Sequence, residues 1–372
     1  MREATRIIRS TLTAAKAGEP LHPGPVFAAP FHASGDPSLV SYTYTRYNNP
    51  TWMHLERAIS QIESSPGTRA STLVFASGMA AVTAVFGAVL RPGDAVVLPS
   101  DAYYAARVLA QEYFARMGIE IRLAATANNA QAAHLAGAKL LWLETPANPT
   151  MEVCDIAALA EAAHRAGALV AVDSTTPTPL GQQSLALGAD FSVVSDTKAM
   201  TGHSDILLGH VSTRDLELRQ KIEQWRTLTG GILGPMEAWL ALRSLATLPL
   251  RLERQCQNAL RIAGFLATRT EVEQVLYPGL PSHSGHAIAR RQMRYFGPVL
   301  GFILRDKAAA EAFLAQSKLV TEATSFGGIT TSAERRARWG SDDIAEGFIR
   351  MSVGCEDVDD LMEDITQALE AI

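Results

Sequence analysis

Short apolar runs separated by helical or polar stretches mark the first half of the chain. The runs lie at residues 73–75, 95–98, 140–143, 169–172 and 191–194. Apolar runs of this length are typical of parallel strands that are buried on both faces of a sheet. Between two of them, Asp155 can cap a helix that carries its apolar residues on one face and ends at Gly167. The pattern predicts an α/β fold whose strands are joined by crossover helices.

The pattern changes on both sides of this region. Residues 1–50 have little periodicity and several prolines, which predicts an extended N-terminal arm. From Thr51, which can serve as an N-cap, apolar residues follow helical spacing. Residues 230–266 read as a long helical region, after which shorter strands at 300–304 and 349–353 alternate with helices from about residues 308 and 358. We predict an arm at 1–50, a large domain at 51–250 and a small C-terminal α/β domain at 251–372.

Composition and charge disfavour several classes of partner. The chain has 372 residues, and its 33 basic and 38 acidic side chains are scattered, which argues against a nucleic-acid partner. The three cysteines, Cys154, Cys256 and Cys355, lie far apart with no paired spacing, which argues against a disulfide framework or a zinc site. Because the first residues lack the apolar stretch of a signal peptide, we expect a cytoplasmic location.

An uncharged segment at residues 70–90 approaches the length of a membrane-spanning helix. It contains Ser77-Gly78 and is rich in alanine, so a buried strand that turns into a buried helix explains it better. We expect no membrane partner.

Polar residues follow four of the apolar runs. Ligands bind beyond the carboxyl ends of the strands in an open parallel sheet, so these positions are the first candidates for a site. They are Ser77-Gly78-Met79, Glu144 to Pro149, Asp173-Ser174-Thr175 and Ser195 to Lys198. The first lies between a strand and a helix, where free backbone amides suit a phosphate, although a serine there can equally be an ordinary cap.

Asp173 and Lys198 carry the sharpest indication of chemistry. Asp173 ends an apolar run, and a cationic ring nitrogen is one good partner for a carboxylate at such a place, although a cap or salt bridge is an alternative. Lys198 is one of six lysines, and it follows a buried strand with the Ser195 and Thr197 hydroxyls before it. A partly desolvated amine there can form a Schiff base, although a lysine that simply reaches solvent from a loop is an alternative. Since successive strands end at one sheet edge, the two side chains can meet, which predicts a pyridoxal 5'-phosphate (PLP) site.

Two other kinds of site are less well supported. His203, Asp205 and His210 would supply few metal ligands, at no recognised spacing, so we expect no metal. A serine hydrolase would need a Gly-x-Ser-x-Gly elbow, which the sequence lacks.

From about Tyr42 to the C-terminus the sequence resembles the Cys/Met-metabolism family of PLP enzymes, which includes cystathionine γ-synthase, cystathionine γ-lyase, cystathionine β-lyase and methionine γ-lyase. The resemblance rests on one consistent order of motifs. They are Tyr44-Thr45-Arg46 with Asn49-Pro50-Thr51, Ser77-Gly78-Met79, Glu144-Thr145-Pro146 with Asn148-Pro149, Asp173, Ser195-x-Thr197-Lys198, Gly202-His203-Ser204-Asp205, Tyr277-Pro278-Gly279-Leu280 and Arg350-x-Ser352-Val353-Gly354-x-Glu356-Asp357.

The resemblance implies a type I PLP-dependent transferase-like fold, usually a homotetramer built from two dimers with shared active sites. It gives Lys198 the covalent bond to the cofactor and Asp173 the ring nitrogen. It implies that the cofactor phosphate is bound by a set of residues from the same chain, namely Ser77, Gly78, Met79, Ser195 and Thr197. Tyr44 and Arg46 would bind the phosphate of the cofactor in a neighbouring subunit. Tyr103 would stack on the ring and assist proton transfer, and Arg350 would bind the substrate α-carboxylate with help from Asn148 and Ser325.

The same resemblance implies a carbon-sulfur lyase that performs γ-elimination on cystathionine, methionine or a related amino acid. A β-lyase, a γ-replacement synthase acting on an O-acyl-homoserine, and a PLP-binding protein without turnover are the alternatives. The chain departs from the family pattern at Tyr104-Ala105, Ser174, Phe326 and Thr330 to Ser332. It also has Thr324 where cystathionine γ-synthases and γ-lyases carry Glu, and a threonine cannot attract a distal ammonium as a carboxylate does.

Overall fold

The computed structural model describes residues 1–14, 16–67 and 69–372, and its larger sheet has seven strands. The strands are β1 Ser71–Phe75, β2 Ala95–Pro99, β3 Glu120–Ala124, β4 Ala138–Glu144, β5 Leu169–Asp173, β6 Phe191–Val194 and β7 Gly209–Thr213. Their order across the sheet is β1-β7-β6-β5-β4-β2-β3. The five strands from β6 to β3 are parallel, whereas β7 runs antiparallel to both of its neighbours. The predicted large, mostly parallel sheet is confirmed.

A second sheet lies in the C-terminal part of the chain and has five strands. These are β8 Val272–Leu276, β9 Val299–Leu304, β10 Thr321–Glu322, β11 Ser332–Arg335 and β12 Phe348–Ser352. They are arranged β10-β11-β12-β9-β8, and every pair except β10 with β11 is antiparallel. This is the smaller α/β unit that the sequence predicted.

Helices cover both sheets. They are α1 Glu3–Ser10, α2 Pro50–Glu63, α3 Gly78–Val89, α4 Tyr104–Leu109, α5 Ile156–Arg165, α6 Thr178–Gly181, α7 Leu216–Thr229, α8 Pro235–Leu245, α9 Leu248–Leu266, α10 His286–Gln292, α11 Lys307–Gln316 and α12 Val358–Leu369. On one face of the large sheet, the rings of Phe86 in α3 and Trp142 in β4 pack edge to face at 5.1 Å between centroids. On the other face, α5 buries its apolar stripe, with Asp155 accepting from the Ala158 N–H as its cap. Both faces are apolar because both are covered.

Residues 71–89 form strand β1 followed by helix α3, as predicted for the uncharged segment. Among the described residues, no helix is both long enough and apolar enough to span a membrane.

Two local predictions were wrong. The first 50 residues are not wholly extended, because α1 forms there and buries Ile7 against α2. Asn49, not Thr51, caps α2, since its Oδ1 accepts from the Thr51 N–H at 2.9 Å and Pro50 occupies the first turn. The Thr51 hydroxyl instead accepts from the Val26 N–H at 2.9 Å.

The predicted helical region at 230–266 is two helices, α8 and α9, interrupted at Ala246 and Thr247. The beginning of α9 packs with α8 and α2, and its end packs against the small sheet. This helix therefore connects the two units, while the domain limits at residues 50 and 250 stay predictions.

Candidate active site

A cavity of about 670 Å³ opens beyond the carboxyl ends of β4, β5 and β6. Eleven of the thirteen site residues expected from the sequence line it, together with side chains from the smaller unit. The eleven are Ser77, Gly78, Met79, Tyr103, Asn148, Asp173, Ser195, Thr197, Lys198, Ser325 and Arg350. Tyr44 and Arg46 do not line the cavity of their own chain.

The end of the cavity near α3 has a crowded backbone. Ser77 is the N-cap of α3, and its Oγ accepts from the Ala80 N–H at 3.1 Å. A Cβ on Gly78 would come within 2.6 Å of the Ser195 Cβ, so only glycine allows the helix to begin this close to the turn after β6. The Thr197 hydroxyl fixes that turn by donating to the Leu208 carbonyl and accepting from the Leu208 N–H. Free amides at the start of a helix are thus held beside the hydroxyl-bearing turn.

Asp173 lies at the end of β5, enclosed by protein with one side open to the cavity. Burial raises its pKa, against the opposing hydrogen bonds from Thr175. The pKa of the neighbouring Glu144 also lies well above its usual range because of burial and the charge of Asp173. Glu144 is the more buried of the two, and its carboxylate accepts from the backbone N–H groups of Tyr103 and Asn148. Asp173 is therefore the carboxylate available to a cationic group in the cavity.

Lys198 reaches across the cavity to the smaller unit, where its Nζ donates to the Ser325 Oγ at 2.6 Å. Burial lowers the pKa of Lys198 to about 8, and the nearby Arg350 guanidinium acts in the same direction. Ser325 itself has a φ of +77°, a left-handed conformation that non-glycine residues rarely adopt. Gly327 holds this loop in place, since a Cβ there would come within 2.4 Å of the Ala199 nitrogen. Strain of this kind is found at functional sites.

Arg350 is nearly fully buried, and its guanidinium is held on several sides. It donates to Asn148 Oδ1 at 2.7 Å, to the Ser325 carbonyl at 2.9 Å and to Glu334 Oε1. Glu334 lies directly opposite Arg350 in the β11–β12 register. Burial lowers the pKa of Arg350 to about 10, so the group keeps its charge at neutral pH.

The sequence reasoning missed a group of residues after β11 that also line the cavity, namely Arg336, Trp339 and Ser341. Arg336 and Trp339 belong to a 3₁₀ turn, Arg336–Trp339. The only available signal was the departure from the family pattern just before this segment. No spacing in the sequence distinguishes Arg336 from the arginines beside it.

His210 lies at the centre of a buried ion triad. It is fully buried, with Nδ1 at 2.8 Å from Asp196 Oδ1 and Nε2 at 2.9 Å from Glu63 Oε1. Burial opposes its charge, but the two carboxylates outweigh burial and raise the pKa of His210 to about 10. Asp196 lies in the turn between Ser195 and Lys198, so this ion triad fixes the turn from behind. Among residues 1–14, 16–67 and 69–372, no three His, Cys, Asp or Glu side chains are arranged to hold a metal.

These features fit the cofactor that the sequence indicated. The close approach at Gly78 leaves the start of α3 free for a phosphate, and Asp173 is a buried carboxylate in need of a cation. Lys198 is an amine with a lowered pKa in the same cavity. A pyridoxal phosphate carries a group for each of the three.

Comparison with known proteins agrees with this fit. The family model described as Cys/Met metabolism PLP-dependent enzyme matches residues 28–370. A Streptomyces coelicolor protein whose name gives cystathionine γ-lyase as a provisional assignment is 52% identical over 368 residues, covering 99% of this chain and 93% of its own. The Bacillus subtilis cystathionine γ-lyase is 39% identical over 346 residues, which cover 89% of each chain. The cystathionine γ-synthase structure from Xanthomonas oryzae in complex with cystathionine superposes with a TM-score of 0.94 at 34% identity, covering 100% of this chain and 98% of that one.

Proposed function

The chain belongs to the Cys/Met metabolism PLP-dependent enzyme family, and from this premise we propose that it is a carbon-sulfur lyase that performs γ-elimination on cystathionine, methionine or a related amino acid. The observation that carries the proposal is the cavity itself. It is lined by a desolvated lysine, by an aspartate and by a buried arginine, which would serve the cofactor's aldehyde, its ring nitrogen and the substrate's α-carboxylate respectively.

In this proposal Asp173 holds the ring nitrogen and Tyr103 stacks on the ring. Ser77, Gly78 and Met79 offer the phosphate the start of α3, and Ser195 and Thr197 offer it the turn after β6. Pyridoxal phosphate, when bound, stores the electrons that remain when the α-proton of an amino acid leaves.

Arg350 orients the substrate by binding its α-carboxylate, with Asn148 and Ser325 holding the guanidinium in place. The Lys198 amine takes the α-proton, because a pKa of about 8 lets the amine hold and release a proton near neutral pH. Its hydrogen bond to Ser325 keeps the amine pointing into the cavity. Burial and the neighbouring Tyr104 raise the pKa of Tyr103, which therefore keeps its proton and can donate it to a leaving thiol.

The experiment that tests the reaction is a substrate panel on the holoenzyme. L-Methionine, L-cystathionine, L-cysteine and O-acetyl- and O-succinyl-L-homoserine are each incubated with the enzyme, and the keto acid is identified. Release of 2-oxobutanoate from methionine or cystathionine is the expected result. Pyruvate from cystathionine, with no 2-oxobutanoate from any substrate, would overturn the proposal in favour of a β-lyase.

The γ-replacement synthase stays the second candidate, because relatives named cystathionine γ-synthase from Mycobacterium are 40% identical over 339 residues. The panel separates it by adding L-cysteine to the O-acyl-homoserines. Cystathionine formed faster than 2-oxobutanoate would indicate replacement. Absence of α-proton exchange with every amino acid tested would leave only a PLP-binding role.

We further propose that two subunits share each site, with Tyr44 and Arg46 reaching the phosphate of a neighbouring subunit. The support is their position outside the cavity of their own chain, where the half-buried Arg46 guanidinium lies 5.6 Å and 5.1 Å from the ring centroids of the exposed Tyr44 and Tyr47. Mixing Arg46→Ala subunits with Lys198→Ala subunits tests this. Each variant alone should be nearly inactive, while mixed dimers should regain activity at one intact site. No recovery on mixing would contradict shared sites.

The assembly of such dimers into a homotetramer and the cytoplasmic location also stay proposals. The location is supported by the three cysteines, all of which are free thiols in the structure.

A further inference from the structure

The part of the cavity wall that the smaller unit supplies has features that the proposed reaction does not use. Arg336 lines the cavity and is 6% exposed, so its guanidinium is almost completely removed from bulk solvent. It donates to Glu334 Oε1 at 3.2 Å and to Asp342 Oδ2 at 2.8 Å, while its buried Nε has no hydrogen-bond partner among the described residues. The guanidinium is thus a buried cation in the wall of the cavity, held by two carboxylates.

Arg336 and Arg350 lie side by side. Both donate to the same oxygen, Oε1 of Glu334. Burial raises the pKa of Tyr103, and the charges of Arg336 and Arg350 both act to lower it, so both guanidiniums lie near the same phenol. The cavity is thus lined by two neighbouring cationic groups, and only one of them is needed for an α-carboxylate.

The carboxylates that hold these arginines stand behind them. Glu334 and Asp342 are not among the residues that line the cavity. Asp342 also accepts from Arg107 at 2.6 Å, which divides its charge between two guanidiniums. Four guanidiniums, those of Arg107, Arg336, Arg338 and Arg350, therefore contact these two carboxylates, and the two that line the cavity are Arg336 and Arg350.

The mouth next to Arg336 is formed by Trp339, Ser341 and Tyr104. The Trp339 indole donates to Glu334 Oε2 at 2.9 Å, which fixes the ring at the rim. Thr324, which also lines the cavity, offers no carboxylate for a distal ammonium. This end of the site is therefore suited to an anion and not to a cation.

We propose that Arg336 is a second anion-binding residue, which selects amino acids whose leaving group ends in a carboxylate. The inference rests on the proposed function, because it takes Arg350 as the group that binds the α-carboxylate. Cystathionine and O-succinyl-homoserine have such a leaving group, whereas methionine and O-acetyl-homoserine do not. Arg336 is then a determinant of substrate preference within the same cavity.

The test compares ligands that cannot be eliminated. L-2-Aminoadipate and L-norleucine have six carbons each and differ only in a terminal carboxylate against a methyl group, and L-2-aminopimelate and L-2-aminoheptanoate form the same pair one carbon longer. Calorimetry on the holoenzyme measures their dissociation constants. We expect at least one dicarboxylate to bind about tenfold more tightly than its methyl partner, the effect of a charged hydrogen bond.

Two variants assign that preference to a residue. Arg336→Met should abolish the preference, because the affinity for the dicarboxylate falls while the affinity for norleucine is unchanged. Arg338→Met is the matched control, since Arg338 lies in the same 3₁₀ turn and contacts Glu334 but does not line the cavity. It should keep the preference. If Arg336→Met fails to bind norleucine, Arg336→Gln, which keeps an N–H donor near Asp342, replaces it in the comparison.

Three outcomes would overturn the inference. One is equal affinity for both members of each pair in the unmodified enzyme. Another is an equal loss for norleucine and the dicarboxylate in the Arg336 variants, which would make Arg336 only a support for Arg350. The third is an equal loss of preference in Arg338→Met. These ligands need no turnover, so failure of the lyase proposal in the substrate panel is distinguishable from failure here.

Discussion

Replacing His210 by glutamine should destabilise the enzyme in a pH-dependent way. His210 lies fully buried between Asp196 and Glu63, and the pair raises its pKa to about 10. The substitution removes the positive charge and leaves two carboxylates in the interior with no cation between them. Breaking a buried ion group in this way costs on the order of 3–5 kcal/mol.

The raised pKa of His210 points to a loss of the same order. A rise from the ordinary value of about 6.5 to about 10 corresponds to roughly 4–5 kcal/mol of stabilisation. Because the folded pKa is raised, this stability is fully present below about pH 6.5 and is lost as the pH rises through about 10. Most of it should still be present at pH 7 and little of it at pH 10.

The assay is urea unfolding of the unmodified enzyme and of His210→Gln at one protein concentration, at pH 7 and at pH 10. We expect a large stability difference at pH 7 that shrinks strongly at pH 10. The triple variant Glu63→Gln, Asp196→Asn, His210→Gln removes every charge of the triad and should recover part of the loss. An equal difference in unfolding free energy at both pH values would refute the reasoning, because it would show that protonation of His210 does not contribute to stability.

Three further predictions concern the cofactor and its chemistry. Gly78→Ala should weaken cofactor binding by about tenfold or more, because the new Cβ would come within 2.6 Å of the Ser195 Cβ. In contrast, Gly264→Ala, where nothing lies within 4 Å, should leave binding unchanged in the same absorbance titration. Asp173→Asn should retain the cofactor but lower kcat by about a hundredfold or more, and a kcat near that of the unmodified enzyme would contradict its role at the ring nitrogen. The rate at which the apo-protein captures pyridoxal phosphate, followed by stopped-flow absorbance, should rise with pH through about 8 and then level off, because only the unprotonated Lys198 amine reacts. A capture rate that rises only near pH 10.5, the ordinary pKa of a lysine, would exclude the lowered pKa.

The parts of the fold that the sequence predicted are those buried on both faces. Strands β2 and β6 are buried along their whole length, and β4 and β5 are buried at residues 140–144 and 170–172, so these stretches are mainly apolar. Strands β3 and β7 escaped detection for opposite reasons. The edge strand β3 carries the exposed Glu120 and the half-buried Arg122. Strand β7 instead buries His210 as a charged group, which is stable there only because Asp196 and Glu63 pair with it.

Some residues of the site could be predicted from the sequence and others could not. Asp173 and Lys198 could be found because the strand order of a parallel sheet brings the residues after neighbouring strands together. Arg336 could not be found by that rule. It lies in a turn of the smaller unit, and its position depends on Glu334 and Asp342, whose relation to the cavity exists only after the two units have packed.

The central claim, that Lys198 is the residue to which the cofactor is attached, can be measured directly. The holoenzyme is treated with borohydride, which fixes bound pyridoxal phosphate to its lysine, and the digested peptides are mapped by mass spectrometry. The chain has six lysines, and we predict that the added mass is found on the peptide containing Lys198 and on no other. Labelling of a different lysine, or a Lys198→Ala protein that still fixes one equivalent of the cofactor, would contradict the account.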